Sequence, residues 1–225
     1  MGKVEVVILG VGIGADIIYG YLMNDERYLI NSFAVETEYI KGNKKFGLPV
    51  HDLKSLTHLY ETKAILFIMG IGYANVNQTR ARIFNTVKDM GFNFETYIHP
   101  SAVVSSNANL EEGAMVLSNS VIEPYARVGF NSLVWSNCTI AHHSEVGDHC
   151  WVASNSVLSG QAKVNDYSFI GVGCVIVNEV VVGDGNIIGA GSLITKNTKH
   201  NEVYLMRNAE KHRFDALNYA KYFMK

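Results

Sequence analysis

The feature that most constrains this chain is a repeat of six residues. Stepping by six from Ile98 gives Val104, Leu110, Val116, Ile122, Val128, Val134, Ile140, Val146, Val152, Leu158, Val164, Ile170, Ile176, Val182, Ile188 and Ile194, seventeen aliphatic positions without an insertion. Four places after each stands a small residue, from Ala102 and Ala108 through Ser120, Cys138, Cys150 and Ser168 to Cys174. Val180 and Asn186 interrupt that class, and Ser192 and Thr198 resume it. Three places after each aliphatic residue the chain favours Asn or Gly, as at Asn107, Gly113, Asn119, Asn131, Asn137, Asn155, Gly173, Gly185, Gly191 and Asn197. These types tolerate left-handed backbone angles at tight corners.

An amphipathic helix has no period of six, and a sandwich would need loops of varied length. The pattern fits a short strand plus a corner per hexad, with three hexads to a triangular coil. Coils stacked as parallel strands about 4.8 Å apart would build a prism roughly 27 Å long. The aliphatic residue fills the interior, the small one lets the chain turn, and such a solenoid needs capped ends.

The N-terminal third reads differently. Residues 4–9 form a buried strand, followed by Gly10, Gly12 and Gly14 and a helix to about Met23. Residues 31–36, ending in Glu36, and 64–69 read as further strands, and 77–90 as a helix. This is an α/β pattern with a parallel sheet. A glycine loop between strand and helix suits phosphate binding, and an acidic residue some twenty positions on suits a sugar hydroxyl. Gly10, Gly12, Gly14 and Glu36 are therefore the candidate substrate-binding residues, although the spacing is G-x-G-x-G, with Ala15 in the last place. The alternative is a bare α/β cap on the solenoid. At the other end, Phe214, Leu217, Ala220 and Phe223 recur at helical spacing and predict a helix packed over the last coil.

Composition removes several classes of function. The formal net charge is −2, so nothing points to nucleic acid or an anionic membrane surface. No stretch has the apolar length needed to span a bilayer, and Met1–Leu9 lacks a signal peptide's layout, so cytoplasm is the expected compartment. The three cysteines lie 12 and 24 residues apart, in the small class of the repeat, which predicts buried core thiols rather than disulfides.

Histidine is the side chain most readily poised near neutral pH. His143 and His149 fall at the corner position, where a structural role suffices. His142 lies two after Ile140, where the repeat makes no demand for it. Its neighbours one coil away are Pro124 and Gly160, and a glycine beside an imidazole leaves a gap in which a ligand chain could lie.

The seventeen hexads identify the chain as similar to the hexapeptide-repeat acyltransferases. The glycine loop, the strand ending at Glu36, Phe46-Gly-Leu-Pro-Val50 and Ile98-His-Pro-Ser-Ala102 resemble a narrower bacterial family. It holds sialic acid O-acetyltransferase-like proteins and N-acetyltransferases of nucleotide-linked aminosugars. The resemblance covers about residues 4–200. It implies a Rossmann-like domain over 1–96, a left-handed parallel β-helix over 97–200 and a helical cap over 201–225. It also implies an acetyl-CoA-dependent acyltransferase acting on an amino or hydroxyl group of a sugar, expected to be nucleotide-linked, in bacterial surface-glycan biosynthesis such as that of lipopolysaccharide O-antigen. A homotrimer and no metal are implied as well.

Within that resemblance His142 matches the catalytic histidine, a general base drawing a proton from the acceptor as it attacks the thioester; a neutral imidazole suits that task. Glu123, one coil earlier, is the candidate carboxylate that orients it, with Glu145 as another. His143 stands where the family carries an acidic residue, and joins the catalytic set. The matched acetyl-CoA positions are Gly160, Val172, Gly173, Ala190 and Gly191, with Lys196 for the phosphates. Trp151 replaces a second histidine that helps hold the thioester. A histidine and a lysine of the family's N-terminal loop are replaced by Gly14 and Asp16, a polar residue by Trp135, and a C-terminal Gly-Val-Pro-Ala-Lys segment by Leu205-Met-Arg-Asn-Ala209. Two other readings of the prism are a zinc-dependent hydrolase of the carbonic anhydrase type, needing three converging histidines, and a non-catalytic assembly protein.

Overall fold

The computed structural model describes residues 2–224. It begins with β1 (Val4–Leu9), α1 (Ile13–Leu22), β2 (Tyr28–Val35), β3 (Lys44–Lys45), β4 (Leu48–Asp52), α2 (Leu56–Leu59), β5 (Leu66–Met69), α3 (Gln78–Asp89) and β6 (Asn93–Phe94). These make a six-stranded sheet in the order β3-β4-β2-β1-β5-β6, parallel except for β3 against β4. The predicted strands and helices are present within a few residues; β3, β4 and β6 were not foreseen. The chain leaves β1 through Gly10, whose φ of +101° favours glycine. Gly14 approaches the loop after β5 so closely that an added Cβ would lie 2.5 Å from the Gly70 carbonyl oxygen. The backbone thus leaves no room for a side chain at position 14.

Eighteen two-residue strands follow, β7 (Tyr97–Ile98) to β24 (Val203–Tyr204). They stack into three parallel sheets of seven, six and five strands, each strand pairing with those 18 residues away except β24, which pairs 16 residues on from β22. These stacked sheets fit a left-handed β-helix. The second residue of each strand points inward: Val116, Val134, Ile140, Val152, Ile170 and Ile188 are all fully buried in one column-filled core. Every sixth residue from Gly113 to Gly191 turns a corner at φ between 52° and 74°. Tyr125, Gln161, Tyr167 and Glu179 occupy that strained position too, so the stacked coils override residue preference there.

The small class does more than fit. Ser120 Oγ donates to the Trp135 carbonyl at 2.6 Å and accepts from the Cys138 N–H at 3.1 Å. The Cys138 thiol donates in turn to the Ala153 carbonyl at 3.2 Å. Ser132, Cys150, Ser156 and Cys174 repeat these links, so each corner satisfies backbone groups that the turn would otherwise leave unpaired. All three thiols are free and buried.

The outward residues give the three faces different fates. On the first face, Tyr97, Met115, Leu133 and Trp151 are buried against Ala15, Ile18 and Leu22 of α1. Two polar residues fasten this seam: Asn77, just before α3, donates to the carbonyls of Tyr167 and Ser168 at 3.1 Å. Arg80, fully buried, donates to the Asn131 carbonyl at 2.7 Å. The oxygens it reaches are all neutral, and burial lowers its pKa to about 10. The third face carries Asn109, Arg127, Glu145 and Lys163, tied by ion pairs such as Lys163–Glu145 at 2.7 Å. The second face presents Val103, Val121, Thr139, Val157, Val175 and Leu193, an almost wholly aliphatic column. Val103 and Leu193 are 63% and 59% exposed.

The C-terminal end departs from expectation. α4 (Ala216–Phe223) forms, but no residue of it is buried. Leu217 is 85% exposed, and Phe214 and Tyr219 pack only locally, near Phe223. The last coils are closed instead by 199–205: β24 pairs with β22 (Ile187–Ile188), and the Lys199 carbonyl and Leu205 lie over Gly183 and Gly189. With that backbone edge already paired, no helix is needed to cover it.

Candidate active site

His142 follows β14 (Thr139–Ile140) on the edge between the second and third faces. Its main chain is pinned from both neighbouring coils. The N–H donates to Glu123 Oε2 at 2.8 Å, and the carbonyl accepts from the Gln161 N–H at 3.0 Å. Glu123 therefore holds the backbone of His142; it does not orient the ring, as the sequence suggested. A carboxylate one residue after a strand end reaches the next coil's amide more readily than a ring projecting from the edge.

The ring occupies the space that Gly160 leaves. A Cβ added at Gly160 would lie 2.6 Å from both Cε1 and Nε2 of His142. The gap expected beside the imidazole is real, but the imidazole itself fills it. His142 remains exposed. Its Nδ1 is 3.3 Å from Nδ1 of His143, with the two rings nearly perpendicular at 82°. His143 takes φ 59°, donates its N–H to the Pro124 carbonyl at 3.1 Å and stacks on Tyr125 with ring centroids 4.8 Å apart.

His149 lies elsewhere, on the edge between the third and first faces. It is 7% exposed, stacked on Tyr167, and within 2.9 Å of the Asn131 amide at Nδ1. Burial is the main cause that holds its pKa below the usual imidazole value. It is a structural residue, and His143 and His149 do not converge. Among the described residues no three His, Cys, Asp or Glu gather to hold a metal.

The acetyl-CoA positions divide between two edges of the second face. Gly160 and Lys196 share the edge of His142, one and three coils beyond it, and Lys196 is exposed about 14 Å along at the usual strand spacing. Val172, Gly173, Ala190 and Gly191 lie on the opposite edge, between the first and second faces, with Val172 52% exposed. Trp151 is on neither. Its side chain is buried in the interdomain seam, 5.1 Å from Tyr73, 5.4 Å from Trp135 and beneath Arg80. The wide indole here is packing, and Trp151 leaves the candidate acetyl-CoA set.

The glycine-loop residues do come together. Gly10, Gly12, Gly14 and Glu36 line one cleft of about 550 Å³, along with Lys41 and Gly72. Glu36 is engaged by Arg82 through two hydrogen bonds of 2.7 and 2.8 Å, which hold its carboxyl below the usual range. Lys41 was not marked by the sequence, because a lone lysine after a strand carries no pattern; only its place in the cleft reveals it.

No protein-family model matches the chain, and no curated protein does. Solved structures do. The stacked-strand fold is shared with solved acetyltransferases. The chain is similar to PerB from Caulobacter crescentus, solved with CoA and GDP-perosamine, at 25% identity and a TM-score of 0.79 over 92% of this chain and 95% of that one. It shares the fold of the acetyltransferase domain of PglB from Neisseria gonorrhoeae FA1090, solved with acetyl coenzyme A. There the identity is 20% and the TM-score 0.80 over 91% of this chain and 97% of that one. WeeI from Acinetobacter baumannii AYE has the fold at 16% identity and a TM-score of 0.59, over 89% and 96% of the two chains.

Proposed function

We propose that this protein transfers an acetyl group from acetyl-CoA to an amino group of a nucleotide-linked sugar, in the synthesis of a surface glycan. The observation that carries this reading is the His142 imidazole, seated over Gly160 on an edge that borders an open aliphatic face. Likeness to PerB, whose structure holds CoA and GDP-perosamine, supports the donor and the class of acceptor.

His142 acts as general base through Nε2. It takes a proton from the acceptor nitrogen as that atom bonds to the thioester carbonyl carbon. Collapse of the adduct breaks the carbon–sulfur bond, and the imidazolium returns its proton to the departing thiolate. The N-terminal unit is read as a Rossmann-like domain, with the nucleotide sugar in the cleft of Gly10, Gly12, Gly14 and Glu36 and Lys41 available to a phosphate. The hydroxyl-acceptor variant of the reaction uses the same base.

The second face supports a homotrimer. Its column from Val103 to Leu193 is the one aliphatic face the N-terminal unit leaves uncovered. Covering one such side chain fully is worth roughly 1.5–3 kcal/mol. Prisms packed through this face would bring the His142 edge of one copy beside the Val172 and Ala190 edge of the next. The two halves of the acetyl-CoA set would then line one groove.

The test is direct: purified protein, acetyl-CoA and a panel of nucleotide-linked aminosugars and their hydroxyl analogues, with free thiol followed over time. Thiol release and an acetylated product with an aminosugar are expected. Thioester left intact with every acceptor, by a protein that binds no CoA, would favour the assembly-protein reading.

A further inference from the structure

The residue that follows His142 in the chain stands beside its ring. Here it is a second imidazole, and the geometry gives it a defined task. The two Nδ1 atoms stand 3.3 Å apart, within hydrogen-bond reach when one carries a proton and the other a lone pair. We infer that His143 is the positioning residue of His142: its Nδ1 accepts a hydrogen bond from Nδ1–H of His142 and fixes the tautomer that leaves Nε2 of His142 free to act as base. The inference rests on the acetyl-transfer reading for the base itself, but the pairing of the rings stands on geometry.

His143 is placed to do this without adjustment. Its backbone is locked at φ 59°, its N–H is held by Pro124, and its ring is clamped against Tyr125. The reverse polarity, with His143 donating, would put the proton of neutral His142 on Nε2 and leave no base.

The surroundings leave this pairing intact. Other groups around the pair are Glu123 and Tyr125 from the coil below, Gln161 from the coil above, and Glu145 on the next strand, already paired with Lys163. Glu123 faces the main-chain N–H of His142, so no carboxylate meets either ring in a hydrogen bond.

Three variants and one spectroscopic measurement test this. His143→Gly removes the acceptor at a position whose φ glycine accepts freely. It should lower kcat 10-fold or more with the KM for acetyl-CoA unchanged. His143→Asn supplies an acceptor that does not titrate. It should recover most of the activity. His143→Asp should also retain activity, because a carboxylate accepts from Nδ1–H of His142. Nitrogen NMR of labelled imidazoles should find neutral His142 protonated at Nδ1. Wild-type kcat in His143→Gly, or His142 protonated at Nε2, would overturn the inference. If no sugar is acetylated at all, the functional reading fails, and the NMR tautomer still decides the pairing.

Discussion

His142 and Gly160 share one space. The imidazole edge lies where the side chain of any other residue at 160 would begin, with Cε1 and Nε2 both 2.6 Å from that point. Gly160 has an ordinary φ, so its backbone would accept alanine, and the group that must give way is the end of an exposed ring. Gly160→Ala should therefore fold with unchanged Tm but displace the base, lowering kcat about 100-fold; catalysis is that sensitive to a displacement of about 1 Å. Steady-state kinetics beside a thermal melt would check both halves.

The open aliphatic face makes a prediction about assembly. A charge in the middle of the column, Val157→Asp or Val175→Asp, should leave the prism folded, because these side chains point away from its core. It should convert a trimer to monomers in sedimentation analysis and remove most acetyl transfer, since the groove would lose one wall. A substitution on the third face, Lys163→Ala, breaks only an exposed ion pair and should change association little.

The thiols report on the prism core. Burial pushes Cys138 up to about 11 and Cys150 to about 12, against an unfolded value of 9.0, and raises Cys174 as well. A raised thiol favours the folded state fully below the unfolded value, and that advantage is lost as pH rises through the folded values. No thiol should react with Ellman's reagent in native protein at pH 8, and all three should react once it is unfolded. Stability to urea should begin to fall above about pH 9.

Much of the prism was legible in the sequence because its core is one residue class repeated at one interval. His142 stood out for the complementary reason: the repeat does not ask for it. What the pattern could not give was the fate of each outward column. Trp151 read as a replacement in the acetyl-CoA site, yet its ring lies under α1 and α3, because the first face is apolar along its length and the N-terminal unit covers it. Glu123 read as the partner of a ring and proved the partner of a main-chain N–H. Sequence register places residues one coil apart but does not say which atom of a long side chain meets which. Phe214, Leu217, Ala220 and Phe223 have true helical spacing, but periodicity alone does not say what an apolar face packs against.

The account turns on the imidazole of His142, and one comparison addresses it directly. His142→Asn keeps a polar side chain over Gly160 but removes the base. Titration calorimetry with acetyl-CoA should find affinity within a few-fold of wild type, while kcat with a nucleotide-linked aminosugar falls 10²–10⁴-fold, the usual worth of a general base. A variant that binds acetyl-CoA and turns over at the wild-type rate would contradict the assignment.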